Sequence, residues 1–215
     1  MFESRLESLY AAFRNPASLL SPNAKFERYL KIRGAMQYDE FIAMPERDDF
    51  VGREWLREQC KRWAMDDTIP CRLFVILGEA GTGKTAFVRH LAEDKELVRS
   101  VHVCVFDRPK TRNVKDTLKN LAYTLTLTNK TYNDYLRNRN FDRMEEMDYD
   151  GLFEWLFIDP LKNEQEKYLL LIDGLDELEE TTGLEPLIQL LRRYTDRLNP
   201  NISILVTARP EGEIV

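Results

Sequence analysis

The eight residues Gly78-Glu79-Ala80-Gly81-Thr82-Gly83-Lys84-Thr85 constrain this chain more than any other stretch. They match G-x-x-x-x-G-K-[ST], with the apolar run Leu73 to Leu77 directly before them and a helix-compatible stretch directly after. Glycines at 78, 81 and 83 permit backbone conformations that side chains forbid, so successive N–H groups can turn inward on phosphate oxygens. The helix beginning at Lys84 and Thr85, and continuing through Ala86, points its unsatisfied N–H groups at the same anion. Lys84 adds a positive charge near the outer phosphates, and Thr85 offers a hydroxyl to Mg²⁺. An ordinary Gly-rich turn before a helix is the bland alternative. The strand–loop–helix context favours a phosphate cradle with main-chain contacts from Glu79, Ala80 and Thr82 as well.

The remainder of the chain reads as alternating helices and short apolar runs. The runs Leu73 to Leu77, Val101 to Phe106, Tyr168 to Ile172 and Ile202 to Val206 have the near-continuous hydrophobicity of strands buried on both faces. Helices are expected over Glu54 to Met65, Lys84 to Glu93, Val114 to Thr126, Tyr149 to Phe157 and Leu184 to Leu198. The sum is an α/β architecture with a mostly parallel sheet, whose strand C-terminal ends share one ligand-binding rim. The front differs. Helices are expected over Ser4 to Arg14 and Ala24 to Met36, and Pro45 with Glu46-Arg47-Asp48-Asp49 marks a boundary. The expected division is a helical segment or linker over 1–45 and a nucleotide-binding core over 46–215.

A second stretch, Tyr168 to Glu177, ends a buried strand in a carboxylate. That is costly unless the carboxylate has a partner. Beside a phosphate cradle the natural partner is Mg²⁺, which makes Asp173 the expected metal residue with Thr85. Asp176 and Glu177 follow within one turn. One of them is expected to orient or deprotonate the attacking water, with Glu177 preferred and Asp176 the rival. A helix-start charge cluster is the alternative reading of these acids.

The string Asp173-Gly174-Leu175-Asp176-Glu177 resembles the extended Walker B of NACHT domains, a branch of the STAND class of signalling NTPases. Those proteins carry a small residue after the magnesium aspartate and a further acid three positions on. Val206-Thr207-Ala208-Arg209-Pro210 is similar to their T-S-R-P sensor, with Ala208 in place of serine. The resemblance implies that Arg209, with Pro210 beside it, senses the terminal phosphate, a role that suits a guanidinium fork. Phe50-Val51-Gly52-Arg53-Glu54 resembles the box preceding the cradle in AAA+ and STAND proteins, which implies base-side contacts from Val51, Gly52 and Arg53. His102-Val103-Cys104 resembles a second-strand pattern of some NACHT proteins. The implied fold is the P-loop NTPase three-layer sandwich, and the implied ligands are ATP or ADP with Mg²⁺. Members continue into helical and winged-helix domains and assemble as homo-oligomers on activation. The chain is therefore expected to be a piece of a longer protein.

Composition narrows the remaining classes. A hydrophobic content of 43% with 32% charged residues describes an ordinary globular chain. A net charge of −6 disfavours a nucleic-acid partner, including a DNA-remodelling motor. No apolar run reaches the roughly 20 residues of a membrane span, and Glu3 and Glu7 spoil a signal peptide. Cys60, Cys71 and Cys104 form no disulfide framework, so a reducing, cytoplasmic setting is expected. His102 and Cys104 lack the additional ligands of a metal site and are expected in the core. Asn129-Lys130-Thr131-Tyr132 lacks the aspartate of a guanine-reading motif. The leading functional expectation is a slow, regulated ATPase switch in signalling or defence. A phosphotransferase acting on a small acceptor and a nucleotide-binding scaffold without turnover are the alternatives.

Overall fold

A computed structural model describes residues 22–43 and 53–210. The expected helix Ser4 to Arg14, the boundary around Pro45, the box residues Val51 and Gly52, and residues 211–215 lie outside the described residues.

Four parallel strands form one sheet in the order β1-β4-β3-β2. They are β1 (Leu73–Leu77), β2 (Val98–Val103), β3 (Tyr168–Asp173) and β4 (Ile202–Ala208). Register pairs Leu77 with Ala208, Ile172 with Val206 and Val103 with Asp173. The C-terminal ends of β1, β3 and β4 therefore finish side by side, and the residues that follow them share one rim. Every side chain of β3 and β4 is buried, as their unbroken apolar runs require. β1 departs from that expectation. As an edge strand of the described sheet it leaves Val75 and Leu77 exposed.

Helices cover both faces. On one face, α1 (Pro22–Tyr29), α5 (Val114–Thr128), α7 (Tyr149–Phe153) and α8 (Glu185–Tyr194) pack on Leu170, Ile172, Ile204 and Val206. On the other, α2 (Tyr38–Ala43), α3 (Glu54–Met65) and α4 (Lys84–Ala92) pack on Leu169, Leu171, Leu205 and Val101. Alternate residues of each central strand thus feed opposite layers, the period-2 consequence of the pleat. The architecture is the expected three-layer α/β sandwich of P-loop ATPases. The front segment contributes to both layers, with Phe26 and Leu30 in one and Tyr38 and Phe41 in the other. The Tyr38 hydroxyl donates to the carbonyls of Ala92 and Val98, each at 2.8 Å.

Several boundaries differ from the sequence reading, each for a local reason. β2 begins at Val98 and ends at Val103 rather than spanning Val101 to Phe106. Arg99 and Ser100 look unlike strand core, yet both are satisfied. Arg99 bonds the Thr128 carbonyl at 2.9 Å, and Ser100 bonds the Leu121 carbonyl at 2.8 Å. The expected helix Ala24 to Met36 stops at Tyr29, and a second helix begins at Tyr38. The stretch Lys130–Arg137 forms α6, capped by Asn129 accepting from the Tyr132 N–H at 2.9 Å. After α7 the chain continues through a π-helical turn, Glu154–Ile158, to Pro160. Proline cannot donate to the carbonyl four residues back. The Tyr132 hydroxyl donates to that Leu156 carbonyl instead, at 2.8 Å. The last helix covers Glu185–Tyr194, shorter than Leu184 to Leu198.

Candidate nucleotide-binding site

The glycine-rich loop expected to cradle phosphate lies between β1 and α4. Gly81 and Gly83 have φ of +76° and +81°, a region that L side chains rarely adopt. A Cβ on Gly78 would stand 2.8 Å from the Thr82 hydroxyl oxygen, so a side chain there would force Thr82 to shift. Glu79, Ala80, Gly81, Thr82 and Thr85 are exposed, and the loop is open to a ligand. Lys84 folds back over it and donates to the carbonyls of Gly78 and Glu79, at 2.5 and 3.1 Å. Its ammonium group is thus held within the loop, where phosphate oxygens are a stronger acceptor than amide carbonyls.

Asp173 closes β3 directly opposite. It is 2% exposed and carries the cost of a buried carboxylate. Burial pushes its pKa above the ordinary value. Hydrogen bonds from the Thr207 and Thr85 hydroxyls and the charge of Lys84 oppose that shift. The Thr207 hydroxyl donates to Asp173 Oδ1 at 2.5 Å and accepts from the Gly174 N–H at 2.9 Å. One carboxylate and one hydroxyl, both hard oxygen donors beside a phosphate loop, suit Mg²⁺, which keeps waters and phosphate oxygens for its other positions. Among the described residues no cluster of three or more His, Cys, Asp or Glu side chains could form an all-protein metal cage.

The two acids after Asp173 sit in a 3-10 turn, Leu175–Glu177. Arg209, leaving β4, binds both. Its Nε lies 2.9 Å from Asp176 Oδ2, its main-chain N–H donates to Asp176 Oδ1 at 3.0 Å, and its Nη2 lies 3.6 Å from Glu177 Oε1. Pro210 follows, exposed. Arg53, at the start of α3, reaches the cradle. Its guanidinium donates to the Thr82 carbonyl and lies 3.6 Å from the position a Cβ on Gly83 would take. The structure therefore brings together the cradle, Asp173, Asp176, Glu177, Arg209 and the Arg53 side chain.

Two residues at the site escaped the sequence reading. Thr207 was visible only as part of the sensor-like string, with no role of its own. Arg112, in the loop after β2, donates from Nε to the Glu177 carbonyl at 2.7 Å. No motif announces it, because it acts on main chain from a separate loop. His102 and Cys104 are buried, as expected for core residues. The His102 Nε2 lies 3.0 Å from the Thr111 carbonyl and its Nδ1 3.1 Å from the Asn120 amide nitrogen. Burial lowers its pKa to about 4. The Nε2–H tautomer satisfies both contacts. Asn129 serves as the cap of α6.

A family model described as Nephrocystin 3, N-terminal matches residues 53–209, more than half of the chain. No curated protein matches significantly. Among solved structures, the Walker-type ATPase PABY2304 of Pyrococcus abyssi is similar with a TM-score of 0.51 and 16% identity, over 78% of this chain and 49% of that one. The likeness is one of fold, and the chain spans about half the length of that protein. None of the described helices is long and apolar enough to cross a membrane.

Proposed function

The chain belongs to the nephrocystin 3 N-terminal family, a NACHT-associated P-loop NTPase region, and from that premise we propose that it binds ATP with Mg²⁺ and acts as a slowly hydrolysing switch. One observation carries this reading. Lys84 and Thr85 of the cradle converge on the buried Asp173, while Arg209 ties the two following acids together.

In this reading the main-chain N–H groups of Gly78 to Ala86 wrap the phosphate tail, and Lys84 exchanges its carbonyl partners for phosphate oxygens. Thr85 and Asp173 hold Mg²⁺, which supplies charge neutralisation at the outer phosphates. Thr207 keeps the Asp173 carboxylate aimed by donating to its Oδ1. Glu177 accepts a proton from the attacking water, with Asp176 bound more tightly to Arg209. Arg209 draws toward a terminal phosphate and away from the acids, which frees Glu177 for that role. Val51, Gly52 and Arg53 form the base side, with the Arg53 side chain bracing the cradle through Thr82. Nucleotide state then biases domain arrangement and homo-oligomer assembly in a longer cytoplasmic signalling or defence protein.

A second reading, a nucleotide-holding scaffold without turnover, draws support from the same Arg209 contacts, since they occupy both candidate bases. Phosphate release from ATP under single-turnover conditions, with and without small hydroxyl acceptors, separates the readings. The switch predicts slow, Mg²⁺-dependent release that no acceptor accelerates. Absent release with tight binding favours the scaffold, and transfer to an acceptor favours a phosphotransferase.

A further inference from the structure

Glu177 is approached by two guanidinium groups, one at its carboxylate and one at its main-chain carbonyl. Arg209 of the β4 end faces its carboxylate, whereas Arg112 grips its main chain. The Arg112 contact is one of several that fasten the same short segment. Arg112 Nε donates to the Glu177 carbonyl at 2.7 Å, and the Arg112 carbonyl accepts from the Glu179 N–H at 3.0 Å. Gly183 abuts this carbonyl so closely that a Cβ there would lie 2.3 Å from the oxygen. A hydrogen-bonded residue pair and a close glycine contact thus lock residues 177–183 against one point of the β2–α5 loop.

That loop is itself rigidly held. Thr111 Oγ1 donates to the Arg108 carbonyl at 2.8 Å and accepts from the Val105 N–H at 3.0 Å. The Thr111 carbonyl meets the buried His102 ring of β2 at 3.0 Å. On its outer side the Arg112 guanidinium stands 4.7 Å from the centre of the Phe106 ring, and its Nη1 donates to the Phe106 carbonyl at 3.3 Å. Phe106 is 68% exposed on the rim. The planar fork therefore spans from an exposed aromatic to the carbonyl of the candidate base.

We propose that Arg112 is a positioning residue for hydrolysis, setting the place of Glu177 through its main-chain carbonyl, and this rests on the assignment of Glu177 as the proton acceptor. A side chain that must reach a water molecule inherits any slack in its own backbone, and misplacement on the scale of 1 Å costs turnover steeply. Among the described residues no hydrogen bond or ring contact of Arg112 reaches residues 78–86, so its effect falls on turnover and spares nucleotide affinity.

The test compares wild type with Arg112→Ala and Arg112→Lys by ATP calorimetry, steady-state phosphate release and amide hydrogen exchange. Arg112→Ala should keep ATP affinity within about twofold, lower kcat about tenfold or more, and speed exchange in residues 174–184 while residues 78–86 keep their protection. Lysine retains one charged donor and should restore part of kcat. Unchanged exchange across 174–184 overturns the proposal, as does unchanged kcat in an active wild type or an equal loss of affinity and rate. A wild type that releases no phosphate refutes the hydrolytic reading, and the exchange comparison then still decides whether Arg112 positions this segment.

Discussion

Arg209 holds Asp176 by two bonds, a side-chain contact at 2.9 Å and a main-chain N–H at 3.0 Å, while its second arm reaches Glu177 at 3.6 Å. The main-chain bond persists without the guanidinium, so truncation keeps one of the two bonds to Asp176 and removes the side-chain contacts to both acids. Arg209→Ala should therefore reduce preference for ATP over ADP about tenfold, or about 1.4 kcal/mol, in paired calorimetric titrations. An unaltered ratio of the two affinities removes Arg209 from phosphate sensing.

Asp173 leads to a pH prediction. Its folded-state pKa stands above the ordinary value, chiefly through burial. The folded chain thus binds this proton to higher pH than the unfolded chain, and its contribution to ligand-free stability falls as pH rises through the carboxylate range. Asp173→Asn should remove that decline in thermal denaturation, and should also remove Mg²⁺-dependent tightening of ATP, about 2 to 3 kcal/mol. A variant that retains the Mg²⁺ effect places the metal elsewhere.

The central elements were legible because burial and chemistry agree there. The apolar runs of β3 and β4 are buried throughout, and Asp173 stands where the run ends. The cradle was legible because Gly81 and Gly83 take a positive φ and a Cβ on Gly78 would crowd the Thr82 hydroxyl. The rest was hidden where polar residues are satisfied by partners remote in sequence. Ser100 looks like a strand boundary until Leu121 and Thr124 are placed beside it. Arg112 looks like a surface arginine until the fold brings Glu177 to it, 65 residues away. Thr207 reads as one more strand threonine until parallel pairing of β3 and β4 sets it beside Asp173.

His102 sets an acid limb. Its pKa is lowered to about 4 by burial, against an unfolded value near 6.5. A base with a depressed folded pKa stabilises the fold above the unfolded value, and that contribution is lost as pH falls from about 6.5 toward 4. The loss is about 3 kcal/mol over that window. Urea denaturation of His102→Gln should show a flatter acid limb than wild type. Parallel curves assign acid sensitivity to other groups.

The proposed phosphate site centres on Lys84, whose ammonium group stands 2.5 Å from the Gly78 carbonyl and 3.1 Å from that of Glu79. Calorimetric titration of ATP into wild type and Lys84→Ala, with Mg²⁺ present, tests it most directly. Wild type should bind with one site per chain, and Lys84→Ala should lose about 1.5 to 3 kcal/mol of binding free energy. Equal affinity in the two proteins, or no heat of binding in wild type at any Mg²⁺ concentration, contradicts the account.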